Sequence, residues 1–104
     1  MFTELDSDNL KSIVDGGKTV VVQYSAGWCG NCRMMKPKFK RMAEEYADFE
    51  FVMVDAEKYP ESRKMAKVDN LPTFAAFKAG ALAGQIQTNR ADNLKDFIDE
   101  TAAN

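Results

Sequence analysis

The chain has 104 residues, enough for one domain with its own hydrophobic core, and a single domain over 1–104 is expected. Its 14 Lys and Arg against 16 Asp and Glu leave a net charge of −2, a balance that points to neither nucleic acid nor a membrane surface. There is no histidine, which removes Cys–His and Ser–His–Asp catalysis and most zinc chemistry.

The first residues, Met1-Phe2-Thr3-Glu4-Leu5-Asp6, carry no basic start followed by an apolar run, and no stretch reaches the ~20 apolar residues of a membrane span. A cytoplasmic location is therefore expected. Residues 8–15 place Leu10, Ile13 and Val14 on one helical face, and Gly16-Gly17 stops that helix. Residues 19–24 are apolar and β-branched with little alternation, as in a strand covered on both faces. Residues 32–46 carry Met35, Phe39, Met42, Ala43 and Tyr46 on one face of a long helix, in which Pro37 is expected to introduce a kink.

Residues 49–55 read as a second buried strand, and 60–68 as a short helix with Met65 and Ala66 inward and Pro60 in its first turn. A third strand over 73–78, a turn at Ala79-Gly80 and a fourth strand over 82–87 form an antiparallel hairpin. Residues 90–101 form a terminal helix through Leu94, Phe97, Ile98 and Thr101, with Asn89 as its N-cap. Alternating helices and strands require parallel strands joined by right-handed crossovers, so the order predicts an α/β fold: a mixed central sheet with helices on both faces.

The only two cysteines stand in Trp28-Cys29-Gly30-Asn31-Cys32-Arg33, at the junction between a strand and the long helix. Residues three apart in a first helical turn share a side, so the sulfurs can approach bonding distance. The unpaired N–H groups and partial positive charge of that turn favour a thiolate, and Arg33 adds positive charge. Cys29, at the helix entrance and more accessible, is expected to attack a substrate disulfide, and Cys32, one turn in and shielded, to resolve the mixed disulfide. A structural staple over so short a loop contributes only roughly 2 kcal/mol, and a metal would need further Cys or His ligands that the chain lacks. No bound cofactor is required, because the dithiol is itself the redox group.

Other signals carry less. Pro72 in Asn70-Leu71-Pro72-Thr73 is tolerated at the first residue of a strand. Arg33, Lys36, Lys38, Lys40 and Arg41 form a solvated basic face or one that steers acidic partners. Met35 belongs to the apolar stripe and, with Met34, makes no metal pair. Asp55 is a turn or capping residue, and with Glu57 it is too isolated for acid–base work.

The Trp28-Cys29-Gly30-x-Cys32-Arg33 motif followed by Pro37, the Leu71-Pro72-Thr73-Phe74 segment, the Phe77-Lys78-x-Gly80 hairpin and the element order resemble the thioredoxin family over essentially the whole chain. The resemblance implies the thioredoxin fold and the reduction of protein disulfides by a monomer that takes electrons from a flavin-dependent thioredoxin reductase. It further implies that Pro72 is cis and packs against the cysteine pair, that Leu71, Pro72 and Thr73 line a groove where a substrate peptide pairs as an added strand, and that Trp28 covers the site as an apolar shelf rather than packing in the core.

The chain departs from the family pattern at several positions. Asn31 replaces a proline between the cysteines, so a more oxidising potential than that of typical thioredoxins is expected. Gln23 replaces a buried Asp and Phe51 its partner Lys, so resolution by Cys32 is expected to use solvent or another carboxylate. Ser25 stands in place of a second Trp, and Thr88 in place of a groove-lining Gly, where its bulk would narrow substrate choice. A disulfide oxidase, an isomerase, a single-target reductase and a binding module within a larger assembly are the alternative readings.

Overall fold

A computed structural model of the chain describes residues 1–103. Five strands, β1 (Phe2–Glu4), β2 (Val20–Ser25), β3 (Glu50–Asp55), β4 (Thr73–Lys78) and β5 (Ala81–Gln87), form one sheet in the order β1-β3-β2-β4-β5. The β1, β3 and β2 strands run parallel, and β4 and β5 add antiparallel pairings. Helices α1 (Leu10–Val14), α2 (Gly30–Glu45), α3 (Pro60–Arg63) and α4 (Ala91–Phe97) cover the sheet, and a π-helical turn over Ile98–Ala102 continues α4.

The continuous apolar runs of the central strands divide by parity between two cores, because successive side chains leave opposite faces of a strand. From β2, Val20, Val22 and Tyr24 enter a core with Leu10 and Val14 of α1 and with Tyr59. Val21 enters the other, with Met35, Phe39 and Met42 of α2 and Leu94 and Phe97 of α4. Phe51 lies in this second core, fully buried, its ring centroid 5.0 Å from that of Phe39.

Several expectations require correction. β1 escapes the sequence pattern because it is three residues long, and it is held by parallel pairing of Phe2, Thr3 and Glu4 with Phe51, Val52 and Met53. Helix α2 begins at Gly30 rather than at residue 32 and runs uninterrupted through Pro37. Lys36 of the basic stretch pairs with Glu4 of β1 at 2.5 Å, so this lysine is not merely solvated. The 60–68 segment is helical only over Pro60–Arg63. Beyond it, Arg63 donates to the Val68 carbonyl at 2.8 Å, and the Gln85 amide clamps both the N–H and the C=O of Lys67 at 2.8 and 2.6 Å.

Asp8 is not helical. Its carboxylate accepts from the N–H groups of Glu61 (3.0 Å) and Ser62 (2.7 Å) and from the Ser62 hydroxyl (2.6 Å), capping α3 from a distance in sequence. The Ser62 hydroxyl beside it, together with these amides, holds the Asp8 carboxyl below its usual range against the opposing effect of desolvation. Asn89 is not the cap of α4. That position is Arg90, whose N–H is received by the Thr88 hydroxyl at 3.1 Å. Arg90 in turn holds the Asp92 carboxyl down to about 2.

Candidate active site

The chain leaves β2 at Ser25, turns through Gly27 and Trp28, and enters α2. Cys29 is the N-cap of α2, with extended backbone, and its Sγ accepts the Cys32 N–H at 3.1 Å. The sulfur thus takes the position that a serine or aspartate oxygen occupies in an ordinary helix cap. Cys29 and Cys32 form a disulfide across Cα atoms 5.2 Å apart. Both residues are buried, Cys29 at 4% and Cys32 at 2% exposure, so accessibility separates them less than expected. What separates them is position: one sulfur caps the helix, and the other lies a turn inside it.

Around this pair the side chains are tied down. Trp28 is 68% exposed, which excludes core packing, and its indole N–H donates to Glu57 Oε2 at 2.8 Å. Arg33 aims its guanidinium at the Gly27 carbonyl, 3.1 Å away. Gly30 and Asn31 are both exposed, and a side chain at Gly30 would meet open space. Asp55 terminates β3 and accepts from the N–H groups of Glu57 (3.0 Å) and Lys58 (3.1 Å), the turn role expected of it.

Behind Cys32 stands Gln23. It is fully buried, and its Nε2 donates to the Cys32 carbonyl and to Ser25 Oγ, both at 3.1 Å. These two acceptors fix the amide orientation, and no described residue donates to Gln23 Oε1. A cleft of about 210 Å³ reaches Cys32 from the side of β1 and β3, lined by Glu4, Ser25, Arg33, Lys36 and Asp55 among others. Among the described residues no cluster of three or more Cys, Asp or Glu could hold a metal.

The Leu71–Pro72 peptide is cis, and Pro72 is buried. It precedes Thr73, which pairs with Tyr24 of β2, so Pro72 lies at the end of the sheet from which the cysteine loop departs. Thr73 is fully buried and donates its hydroxyl to the Asn70 carbonyl at 2.5 Å. Thr88 follows β5, and its Oγ1 is engaged by the Arg90 N–H and by Asn93 Nδ2 at 3.2 Å.

A family model described as Thioredoxin matches residues 1–100. The chain is 35% identical to thioredoxin of Callithrix jacchus over 103 residues, covering 96% of this chain and 98% of that protein. It is 38% identical to thioredoxin H2-1 of Oryza sativa subsp. japonica over 81 residues, 78% of this chain but only 59% of that protein. The oxidised crystal structure of mitochondrial thioredoxin 3 from Saccharomyces cerevisiae superposes with a TM-score of 0.85 at 29% identity, covering 95% of this chain and 94% of that one.

The chain belongs to the thioredoxin family. As a thioredoxin it is a thiol–disulfide oxidoreductase that reduces protein disulfides, and the bonded Cys29–Cys32 pair is the oxidised form of its dithiol. Two features of this site leave no local trace in the sequence. Glu57 lies 29 positions from Trp28, and the Glu4–Lys36 pair joins the unpredicted β1 to α2.

Proposed function

We propose that Cys29 is the attacking sulfur and Cys32 the resolving one. The observation that carries this reading is the Cys32 N–H directed at Cys29 Sγ. An amide donor and the positive end of a 16-residue helix stabilise negative charge on Cys29 once the disulfide is reduced. Cys29 as thiolate attacks a substrate disulfide, expels one substrate thiolate and forms a mixed disulfide. Cys32 then displaces the second substrate sulfur and closes the Cys29–Cys32 bond.

Leu71, Pro72 and Thr73 form the rim that receives the substrate peptide as an added strand, with Trp28 as the apolar shelf and Thr88 limiting the groove. Gly30, Asn31, Arg33 and Gln23 support the sulfurs. Electrons come from a thioredoxin reductase, the protein works as a monomer in the cytoplasm, and it serves electron transport and redox balance there. No described helix is long and apolar enough to cross a membrane.

The test is a trap. Cys32→Ser should accumulate mixed disulfides through Cys29 with oxidised protein substrates, and Cys29→Ser should accumulate none. Partners held through Cys32 instead would reverse the roles. Asn31 between the cysteines favours, as a second reading, a more oxidising exchanger.

A further inference from the structure

We infer that Cys32 gives up its proton, in the resolving step, to base arriving from solvent through the cleft at its back, with Gln23 as a neutral positioning residue. The inference rests on the Cys29–Cys32 exchange proposed above and specifies where its proton goes.

The residue buried behind Cys32 is not an acid or a base. Gln23 is fully buried and spends its amide N–H groups on the Cys32 carbonyl and Ser25 Oγ. A carboxamide neither takes nor gives a proton near neutral pH. It holds the first turn of α2 against β2 but cannot ionise the thiol.

The ionisable groups that face the cleft are already engaged. Glu4 of β1 pairs with Lys36 of α2 at 2.5 Å. Arg33 of α2 is held on the Gly27 carbonyl. Asp55, at the end of β3, caps the turn to Glu57 and Lys58. Cys29, bonded to Cys32, is its reaction partner.

The cleft itself connects the buried to the exposed. Cys32 is 2% exposed and is one of the residues that line it. The Glu4 and Lys36 side chains on its wall are 55% and 40% exposed. Small bases can therefore approach Cys32 through a cleft whose lining does not include Leu71, Pro72 or Thr73.

Hydroxide or a buffer base takes the Cys32 proton, and the Cys32 thiolate attacks Cys29 Sγ. The Cys29–Cys32 bond forms as the bond from Cys29 to the substrate sulfur breaks. The substrate sulfur leaves with the electron pair as a thiolate, reduced, while Cys32 is oxidised and Cys29 passes from one disulfide to another.

The experiment mixes the reduced protein with an aromatic disulfide that releases a coloured thiolate. The first release follows attack by Cys29 and scales with the disulfide concentration. The second reports resolution by Cys32 and does not. The second rate should rise roughly tenfold per pH unit through the neutral range, because the thiolate is the nucleophile. It should also rise with buffer-base concentration at fixed pH and ionic strength. Gln23→Asp should flatten both dependences by supplying an internal base, and Glu4→Gln and Asp55→Asn should leave them as in the wild type.

A wild-type rate flat in pH and indifferent to buffer overturns the inference, whatever the variants do. Loss of the pH dependence in Glu4→Gln or Asp55→Asn overturns it in favour of that carboxylate. Absence of the first release, with no trapping by Cys32→Ser, overturns the exchange itself.

Discussion

The indole N–H of Trp28 donates to the carboxylate of Glu57 at 2.8 Å, which fixes the ring's heading although 68% of the residue is exposed. An exposed tryptophan without such a tether would sample several rotamers, each with a different apolar surface. Glu57→Ala should release the ring, change its fluorescence and lower kcat/KM for protein disulfides about two- to tenfold, the equivalent of one hydrogen bond of about 0.5–1.5 kcal/mol. An unchanged kcat/KM would mean that the tether does not serve substrate binding.

Capping of α2 by Cys29 predicts a difference in reactivity between the two sulfurs. In the reduced protein at neutral pH, Cys29 should be alkylated by iodoacetamide at least roughly tenfold faster than Cys32. Mass spectrometry of partly modified protein measures both rates in one sample. Equal rates would remove the electrostatic basis of the assigned roles.

Asn31 occupies the second position of α2, where a proline would be preset for the helix. The potential of the Cys29–Cys32 couple is expected to lie above the thioredoxin value of about −270 mV, and Asn31→Pro to lower it. A shift of about 30 mV corresponds to roughly 1.4 kcal/mol between dithiol and disulfide. Equilibration with glutathione buffers measures it. A wild-type potential at or below the thioredoxin value contradicts the expectation.

Gly84 lies where α4 and its π-helical continuation cross β5. A Cβ there would come within 2.7 Å of Thr101 Cγ2 and 3.5 Å of the Phe97 ring. Thr101 cannot easily yield, because it is β-branched and its hydroxyl donates to the Phe97 carbonyl. Gly84→Ala should therefore cost about 1–3 kcal/mol by overpacking, read as a lower denaturation midpoint. No change in the midpoint would indicate that the turn moves freely.

The Asp8 cap gives a pH signature. Its folded carboxyl titrates below the ordinary value of 3.8, so its contribution to stability is complete above that value and is lost as the pH falls through the lower folded value. Wild type should be more stable than Asp8→Asn at neutral pH, and the gap should narrow below pH 3.8. A gap that persists unchanged in acid would assign the effect to packing.

These predictions depend on contacts of different legibility. The three central strands can be read from sequence because burial on both faces leaves unbroken apolar runs, and the cysteine pair because its geometry is local to one helical turn. β1 could not be read, since Phe2 is its only large apolar residue and its edges are set by pairing with β3. The non-helical path after α3 is held at Lys67 by Gln85, 18 positions on, and the helix is capped by Asp8, 53 positions before Glu61. Trp28 was legible as part of the site, but its carboxylate partner was not. Such links arise from the folded path rather than from periodicity.

The division of β2 between two cores has a consequence for how the chain can change in length. Side chains at even positions from Val20 to Tyr24 face α1 and Tyr59, and Val21 faces α2. Inserting one residue within the strand would exchange these faces, bringing a tyrosine under the redox helix and an amide into an apolar wall. The loop that precedes the strand can therefore grow or shrink, but the spacing from Val20 to Cys29 works as a fixed gear between the scaffold and the sulfur chemistry.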